Sequence, residues 1–167
     1  MYNTLKKVSF LFILILIPVF SHGDQSYSSL AGTWKLNKEA SYNLDELLKF
    51  QGRSYLERRM VKSMDMTQEV TISSNTVAIT VMTSINKMHM KLYVDGTAHK
   101  EKNIEGKDVS IKCTPITNGI VIESKDEKGI ITLTKRYIEK NRMINQITMT
   151  SPDGKSVTAK RVFDRIN

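Results

Sequence analysis

Hydrophobic and polar residues alternate with a period of two from residue 66 almost to the end of the chain. Segments rich in Val, Ile and Thr recur roughly every ten residues, and turn-forming pairs such as Asp95-Gly96 and Asn118-Gly119 separate them. Such alternation is typical of half-buried β-strands, and Asp-Gly and Asn-Gly pairs favour tight hairpins. The pattern predicts strands over residues 67–73, 76–83, 88–94, 97–103, 108–114, 120–124, 130–138, 142–149 and 156–164.

The segment before this alternation predicts one further strand and two helices. Residues 30–37 have the pattern of a short first strand. Asn43 followed by Glu46, and Ser54 followed by Glu57, both match the capping box that opens a helix. A glycine between the two segments is suited to end the first helix in a left-handed conformation. We therefore expect two short helices between the first and the second strand.

Ten antiparallel strands in up-and-down order would leave two long edges if they formed an open sheet. Because exposed edges promote aggregation, closure into a barrel is the favoured outcome. The predicted fold class is therefore all-β, a ten-stranded antiparallel up-and-down β-barrel (a clam) with a two-helix lid between the first and second strands. A barrel slightly larger than eight strands has room for a small ligand as well as side chains.

The N-terminal segment has the features of a secretory signal peptide. Lys6 and Lys7 precede an apolar run over residues 8–20, and Ser21-His22-Gly23 supplies small residues near a cleavage site. The apolar run is shorter than the ~20 residues that a membrane-spanning helix needs, and an uncleaved anchor is the alternative. We expect residues 1–23 to be removed, and residues 24–167 to form one secreted barrel domain.

Composition excludes several classes of protein. The chain has 167 residues, a one-domain length, and its single cysteine, Cys113, rules out an intramolecular disulfide and a cysteine-based zinc cluster. We expect Cys113 to be a buried thiol, since exposed thiols oxidise outside the cell. The formal charge of +8 suits nucleic acid, anionic lipid or an acidic small molecule and does not choose between them.

Catalytic and metal-binding patterns do not stand out. We find no Ser-His-Asp set, no phosphate loop and no supported pair of carboxylates, so we expect neither an enzyme nor a cofactor. His89 and His99 lie on separate predicted strands, so a metal site is not expected. A helix pair can read DNA, but a secreted protein rarely needs one, and we expect no nucleic-acid partner.

Strand parity gives the first candidate for a binding residue. On the last strand, Val157, Ala159, Arg161 and Phe163 share one face, and its apolar members favour the interior. Arg161 would then lie inside the barrel, where an unpaired guanidinium needs an anion or ordered water. The alternative is an exposed arginine on an ordinary strand.

The combined motifs resemble a known family. Gly32-Thr33-Trp34-Lys35-Leu36, a two-helix insert, nine further strands and a final Lys160-Arg161-Val162-Phe163 resemble the fatty-acid-binding branch of the intracellular lipid-binding proteins, within the calycin superfamily. The resemblance covers residues 30–167. The signal peptide departs from this largely cytosolic family and is similar to that of extracellular variants known from some invertebrates.

The resemblance implies a site for a fatty-acid carboxylate. In relatives that fix a carboxylate, one arginine lies in an Arg-x-Tyr on the last strand and a second lies two strands earlier. These positions match Arg161 and Arg136, while Phe163 stands at the usual Tyr position. The implied function is transport of a long-chain fatty acid or similar amphipathic carboxylate, and the predicted signal peptide makes that transport extracellular. The alternatives are a retinoic acid carrier and a basic interaction protein with no internal ligand.

The resemblance also implies a portal near the second helix. Arg53, Arg58, Arg59 and Lys62 lie on or beside that helix, and Ile85 lies on the turn between the third and fourth strands. We expect this basic lid to make transient contact with anionic membranes during ligand exchange. A solvated helix face without a partner is the alternative. We expect the protein to be a monomer.

Overall fold

The computed structural model describes residues 27–102 and 108–166. The predicted signal peptide, residues 1–23, lies outside these ranges, as does residue 103 at the end of the fifth predicted strand. Within the two described ranges, no helix has the length and apolar character needed to cross a membrane.

The described elements follow the predicted order. A 3₁₀-helix, Tyr27–Leu30, precedes strand β1 at Gly32–Tyr42. The helices are α1, Leu44–Phe50, and α2, Tyr55–Ser63. The other strands are β2, Met66–Ser73; β3, Thr76–Thr83; β4, Lys87–Tyr93; β5, Ala98–Lys102; β6, Asp108–Ile116; β7, Gly119–Lys125; β8, Ile131–Glu139; β9, Arg142–Thr150; and β10, Ser156–Arg165.

The strands form a single antiparallel sheet that curves into a nearly closed barrel. Their order across the sheet is β4-β3-β2-β1-β10-β9-β8-β7-β6-β5, so the pairing of β1 with β10 joins the two halves of the chain. Strands β4 and β5 are at opposite ends of this order and are not hydrogen-bonded to each other. The predicted ten-stranded up-and-down barrel with a two-helix insert is confirmed, and its one open seam lies between β4 and β5.

One end of the barrel is closed by a compact hydrophobic core. Trp34 and Phe163 are its largest fully buried side chains, and Leu30 from the 3₁₀-helix packs with them. The indole Nε1 of Trp34 donates to the carbonyl oxygen of Leu30 at 2.8 Å, so the burial of this polar group is compensated. The short helix thus closes this end of the barrel.

Helix α1 packs on strands β9 and β10. Leu47 is buried against Met149 of β9 and Ala159 of β10. Two polar contacts fix the ends of the helix: Asn43 Nδ2 donates to the carbonyl oxygen of Thr158 at 2.5 Å, and the amide of Gln51 contacts the sulfur of Met149 at 3.4 Å. The helix pair is therefore held on β9 and β10.

The two predicted capping boxes have different outcomes. Ser54 and Glu57 form a complete box, in which the Glu57 carboxylate accepts from the Ser54 backbone N–H at 2.7 Å. The box predicted at Asn43 is wrong. Asn43 has a left-handed backbone with φ of 60° and makes no capping hydrogen bond, because its side chain is drawn to β10 instead.

Strand β1 is longer than predicted and contains an irregularity. The sequence predicts an end near residue 37, but the strand continues to Tyr42 and its register against β10 shifts after Asn37. Polar side chains replace the lost ladder bonds: Asn37 Oδ1 accepts from the N–H of Ala40, and Ser41 Oγ accepts from the N–H of Val162. The extension carries β1 up to the lid.

Candidate functional site

Three polar residues lie side by side on the inner face of the barrel. Arg136 of β8 is in register with Asn145 of β9, which is in register with Arg161 of β10. Residues in register on neighbouring antiparallel strands point to the same face of a sheet. The two predicted arginines therefore flank one asparagine on a continuous patch.

Arg136 reaches across the interior to the opposite wall. Its Nη1 donates to Gln68 Oε1 of β2 at 2.6 Å and contacts the sulfur of Met143 at 3.6 Å. With the Asn145 amide oriented so that its oxygen faces the guanidinium, Oδ1 accepts from Arg136 Nη2 at 3.2 Å. Gln68, Arg136 and Asn145 are the buried polar residues of the described structure, and they form one network.

The neighbours of Arg136 are neutral, which matters for its charge. Burial lowers the pKa of the Arg136 guanidinium to about 10, and no described carboxylate forms an ion pair with it. Its Nε is buried and has no hydrogen-bond partner among the described residues. The positive charge is retained at neutral pH and is only partly compensated.

Arg161 is even less satisfied. Its Nε is buried without a partner, and the guanidinium lies 5.9 Å from the centre of the Phe163 ring. Burial lowers the pKa of Arg161. By contrast, Arg165 on the same strand donates to the carbonyl oxygens of Ala31 and Ser29 at 3.0 and 2.9 Å and lies over Trp34. Arg165 is bonded into the fold, whereas Arg161 is left with unused donors.

Phe163 lies directly below Arg161 on the same face of β10. It is fully buried in the hydrophobic core and has no hydroxyl to offer a ligand. The structure thus brings together the three residues that the sequence predicts, Arg136, Arg161 and Phe163. Two of them can donate hydrogen bonds, and the third packs beneath one of those donors.

A pocket of about 310 Å³ opens between β1 and the helix pair and reaches Arg161. Its wall is partly apolar, from Leu36 and Leu44, and partly charged, from Lys38, Asp45 and Lys62. An amphipathic molecule with an anionic end fits this lining. The full lining is Leu36, Lys38, Ser41, Tyr42, Asn43, Leu44, Asp45, Lys62 and Arg161.

Gly119 is a positioning residue that the sequence marks only as part of the Asn118-Gly119 turn. It is buried at the start of β7, opposite Tyr137 of β8. An added Cβ at Gly119 would lie 2.1 Å from the carbonyl oxygen of Arg136 and 2.8 Å from Tyr137 Cα. Only glycine allows β7 to approach the backbone of Arg136 this closely.

The predicted lid residues are present at the helix pair, but most are already paired. Arg53 contacts Glu57 at 3.7 Å. Arg58 and Lys62 contact the same oxygen of Asp45 at 3.4 and 3.5 Å. The first pair links Arg53, which precedes α2, to the first turn of that helix, and the other two pairs tie α2 to α1. All three weaken the positive field that the sequence alone suggests.

Arg59 differs from its neighbours on α2. The guanidinium of Arg59, like that of Arg58, lies 5.8 Å from the centre of the Tyr55 ring, but no described carboxylate pairs with Arg59. Helix α2 buries none of its side chains, and Leu56 is 77% exposed. Ile85, on the turn after β3, is 69% exposed. The helix therefore presents apolar side chains and one unpaired cation to the outside.

Two polar members of the site were missed in the sequence, although a signal for them exists. Gln68 interrupts the apolar face formed by Met66 and Val70, and Asn145 interrupts the face of Met143 and Ile147. A single polar residue on an otherwise buried face needs a buried partner. The local pattern marks Gly119 as a turn residue but does not show its second requirement, which arises from the approach of β7 to β8.

The remaining chemistry-bearing residues are placed as follows. Cys113 is buried, as predicted, and burial raises the pKa of its thiol to about 11. His99 contacts Asp95 at 3.0 Å, while His89 contacts the Thr80 hydroxyl at 2.9 Å. The described ranges contain no group of three or more His, Cys, Asp or Glu side chains suited to a metal ion.

Known proteins match this chain in their solved structures. No family model matches this sequence, and no curated protein matches it. A Schistosoma mansoni fatty acid binding protein, solved in complex with arachidonic acid, is 22% identical with a TM-score of 0.69; the match covers 85% of this chain and 99% of that one. A fatty-acid-binding protein from brain tissue of Drosophila melanogaster is 25% identical with a TM-score of 0.63, covering 79% and 95%.

A third solved structure, apo lipid binding protein 8 of Caenorhabditis elegans, is 17% identical with a TM-score of 0.71 and covers 84% of this chain and 97% of that one. These proteins match the described barrel over nearly their whole length. From its ten-stranded order, its helix pair and these likenesses, the chain has the fold of the fatty-acid-binding and lipid-binding proteins.

Proposed function

We propose that this protein is a non-enzymatic carrier that binds one long-chain fatty acid, or a similar amphipathic carboxylate, inside its barrel. The observation that carries the proposal is Arg161, a guanidinium with a buried and unpartnered Nε at a pocket with an apolar wall. A carboxylate satisfies such a group through charge-assisted hydrogen bonds, and an acyl chain covers the apolar lining.

Three further observations support a carboxylate as the ligand. Arg136 adds a second buried positive charge on the same face, two strands away. Asn145 lies between them. A solved protein of the same fold holds arachidonic acid, which is a fatty acid. A free alcohol would leave both guanidinium charges without a counter-ion.

Ligand exchange at membranes belongs to the same proposal. Leu56 and Arg59 project from α2, and Lys62 on the same helix lines the pocket. A helix with apolar side chains and an unpaired cation outside can adsorb to an anionic bilayer. Contact there would place the bilayer beside the pocket opening, which is the route that a ligand needs.

Secretion is also part of the proposal and depends on the N-terminal sequence. The order of Lys6-Lys7, the apolar run and Ser21-His22-Gly23 supports cleavage after Gly23. N-terminal sequencing of protein recovered from culture medium should begin at Asp24. Recovery of the full-length chain only from the cytosol would contradict it.

The binding proposal is tested on protein purified without denaturation. Organic-solvent extraction followed by mass spectrometry should release about one fatty acid per chain. Calorimetric titration of delipidated protein with oleic acid should give binding, whereas methyl oleate, which has no negative charge, should bind about tenfold more weakly or worse. Absence of extracted lipid together with no binding of oleic acid would refute the carrier function.

A further inference from the structure

The candidate site contains two positive charges and no described negative charge beside them. Arg136 is bonded to the neutral side chains of Gln68 and Asn145 and to the sulfur of Met143. Arg161 contacts the face of Phe163. Among residues 27–102 and 108–166, no carboxylate forms an ion pair with either arginine.

The pocket that reaches Arg161 offers no free negative charge in its described lining. Besides Arg161, its charged lining residues are the cations Lys38 and Lys62 and the anion Asp45. Asp45 is already bonded to Arg58 and Lys62, and Lys38 is bonded to Asp65 at 2.8 Å. No anion of the pocket lining is therefore left to balance Arg161.

One carboxylate brings a single negative charge, which leaves one buried guanidinium uncompensated. An uncompensated buried charge costs free energy, whereas a head group with two negative charges balances both arginines. A phosphate monoester carries about −1.5 to −2 charges at neutral pH and presents three acceptor oxygens. Planar guanidinium forks suit these oxygens, and Arg136 and Arg161 lie on the same face of strands β8 and β10, which are about 10 Å apart.

We propose that this site prefers an amphiphile with a dianionic head group, an alkyl or acyl chain ending in a phosphate monoester, over a simple fatty acid. The inference rests on the proposed carrier function, because it requires the chain of the ligand to occupy the barrel. It follows from the neutral neighbours of Arg136, the unpartnered Nε of Arg161, and the lack of a free anion in the described pocket lining.

Three ligands with the same chain separate charge from shape. Delipidated protein is titrated calorimetrically with dodecanoate, dodecyl phosphate and dodecyl methyl phosphate, each below its aggregation concentration. The methyl diester resembles the monoester in shape but carries one negative charge. Inorganic phosphate, added as a competitor, distinguishes an amphiphile from a free phosphate ion. The Arg161→Gln variant is titrated in parallel, and circular dichroism confirms that it is folded.

We expect dodecyl phosphate to bind about tenfold or more tightly than dodecanoate, because one additional charge-assisted contact is made. The methyl diester should bind no better than dodecanoate, inorganic phosphate should not displace the bound amphiphile, and Arg161→Gln should remove most of the preference.

The opposite outcomes are distinct from one another. If dodecanoate binds as tightly as dodecyl phosphate, or the diester matches the monoester, the head-group inference is wrong and the carrier function stands. If inorganic phosphate competes at equal concentration, the ligand is not an amphiphile and the inference is again wrong. If neither dodecanoate nor dodecyl phosphate binds, both proposals are wrong. The comparison of ligands on the unmodified protein does not depend on any variant.

Discussion

Replacing Arg161 by methionine should raise the stability of the ligand-free protein while weakening ligand binding. Methionine has a similar length and no charge, so it fills the space of the arginine stem. A residue kept for folding should not behave in this way, since its loss lowers stability. A rise in stability together with a loss of ligand affinity therefore identifies a residue that is kept for binding.

The magnitude follows from the contacts of Arg161. Leaving a partly buried guanidinium without a partner costs about 2 kcal/mol, at the low end for buried ions because Arg161 is not fully enclosed. Loss of the contact with the Phe163 ring, at 5.9 Å, removes about 0.5–1 kcal/mol of stabilisation. The free energy of unfolding should therefore rise by about 1 kcal/mol, which corresponds to a melting temperature about 2–4 °C higher.

Arg165→Met is the matched control, because it makes the same change four residues further along β10. Arg165 loses hydrogen bonds of 3.0 and 2.9 Å and its contact with Trp34 at 4.2 Å. Because the side chain is exposed, the free energy of unfolding should fall by only about 1–2 kcal/mol. The affinity of Arg165→Met for oleic acid should not change, since Arg165 does not line the pocket.

The assay is urea unfolding of the delipidated proteins, followed by the fluorescence of the single tryptophan, Trp34, together with calorimetric titration of oleic acid. Affinity for oleic acid should fall about tenfold or more in Arg161→Met. The reasoning fails if Arg161→Met loses stability as Arg165→Met does and binds oleic acid as tightly as the unmodified protein. Arg161 would then be a structural residue.

Three further predictions concern other parts of the molecule. Gly119→Ala should lower the free energy of unfolding by about 3 kcal/mol or more and weaken oleic acid binding, because the added Cβ overlaps the Arg136 backbone. Gly96→Ala is the control: its Cβ would meet open space, so the φ of 72° should cost only about 1 kcal/mol in the same urea titration. Burial raises the pKa of Cys113 to about 11, so the stabilisation that comes from keeping its thiol protonated is complete below pH 9 and is lost as the pH rises towards 11. The melting temperature of Cys113→Ala should therefore fall less steeply over that pH range than that of the unmodified protein. Arg59→Glu should slow ligand transfer to anionic vesicles several-fold. Arg58→Gln should change the transfer rate little, because the charge of Arg58 is already paired with Asp45. Equal effects of the two substitutions would contradict a role for the unpaired cation.

The strands of this protein could be predicted because each buries one face and leaves the other in water. Apolar and polar residues therefore alternate along each strand. The tight turns need residues that tolerate a positive φ, such as Asn118, whose φ is 60°. The same parity placed Arg161 on the inner face, because it shares that face with the fully buried Phe163. Local chemistry was sufficient for these features.

Features that depend on distant partners could not be predicted in the same way. Asn43 matches a helix cap, but Thr158, more than a hundred residues later, takes its side chain. Gln68 becomes part of the site only because the barrel brings β2 opposite β8. Likewise, Asp45 of α1 pairs with the lid cations Arg58 and Lys62 through contacts that depend on how the two helices pack. Sequence parity marks such residues as buried or exposed, but it does not name their partners.

The open seam between β4 and β5 has a consequence for the behaviour of the protein in concentrated solution. Each of these two strands has a row of backbone donors and acceptors that no other strand uses, and such rows recruit strands from other molecules. Exposed lysines stand on both sides of the seam, Lys87 and Lys91 on β4 and Lys100 on β5. A second copy that approached either strand would have to bring its own cations against these. The exposed lysines of the two edge strands thus protect the molecule from intermolecular β-aggregation.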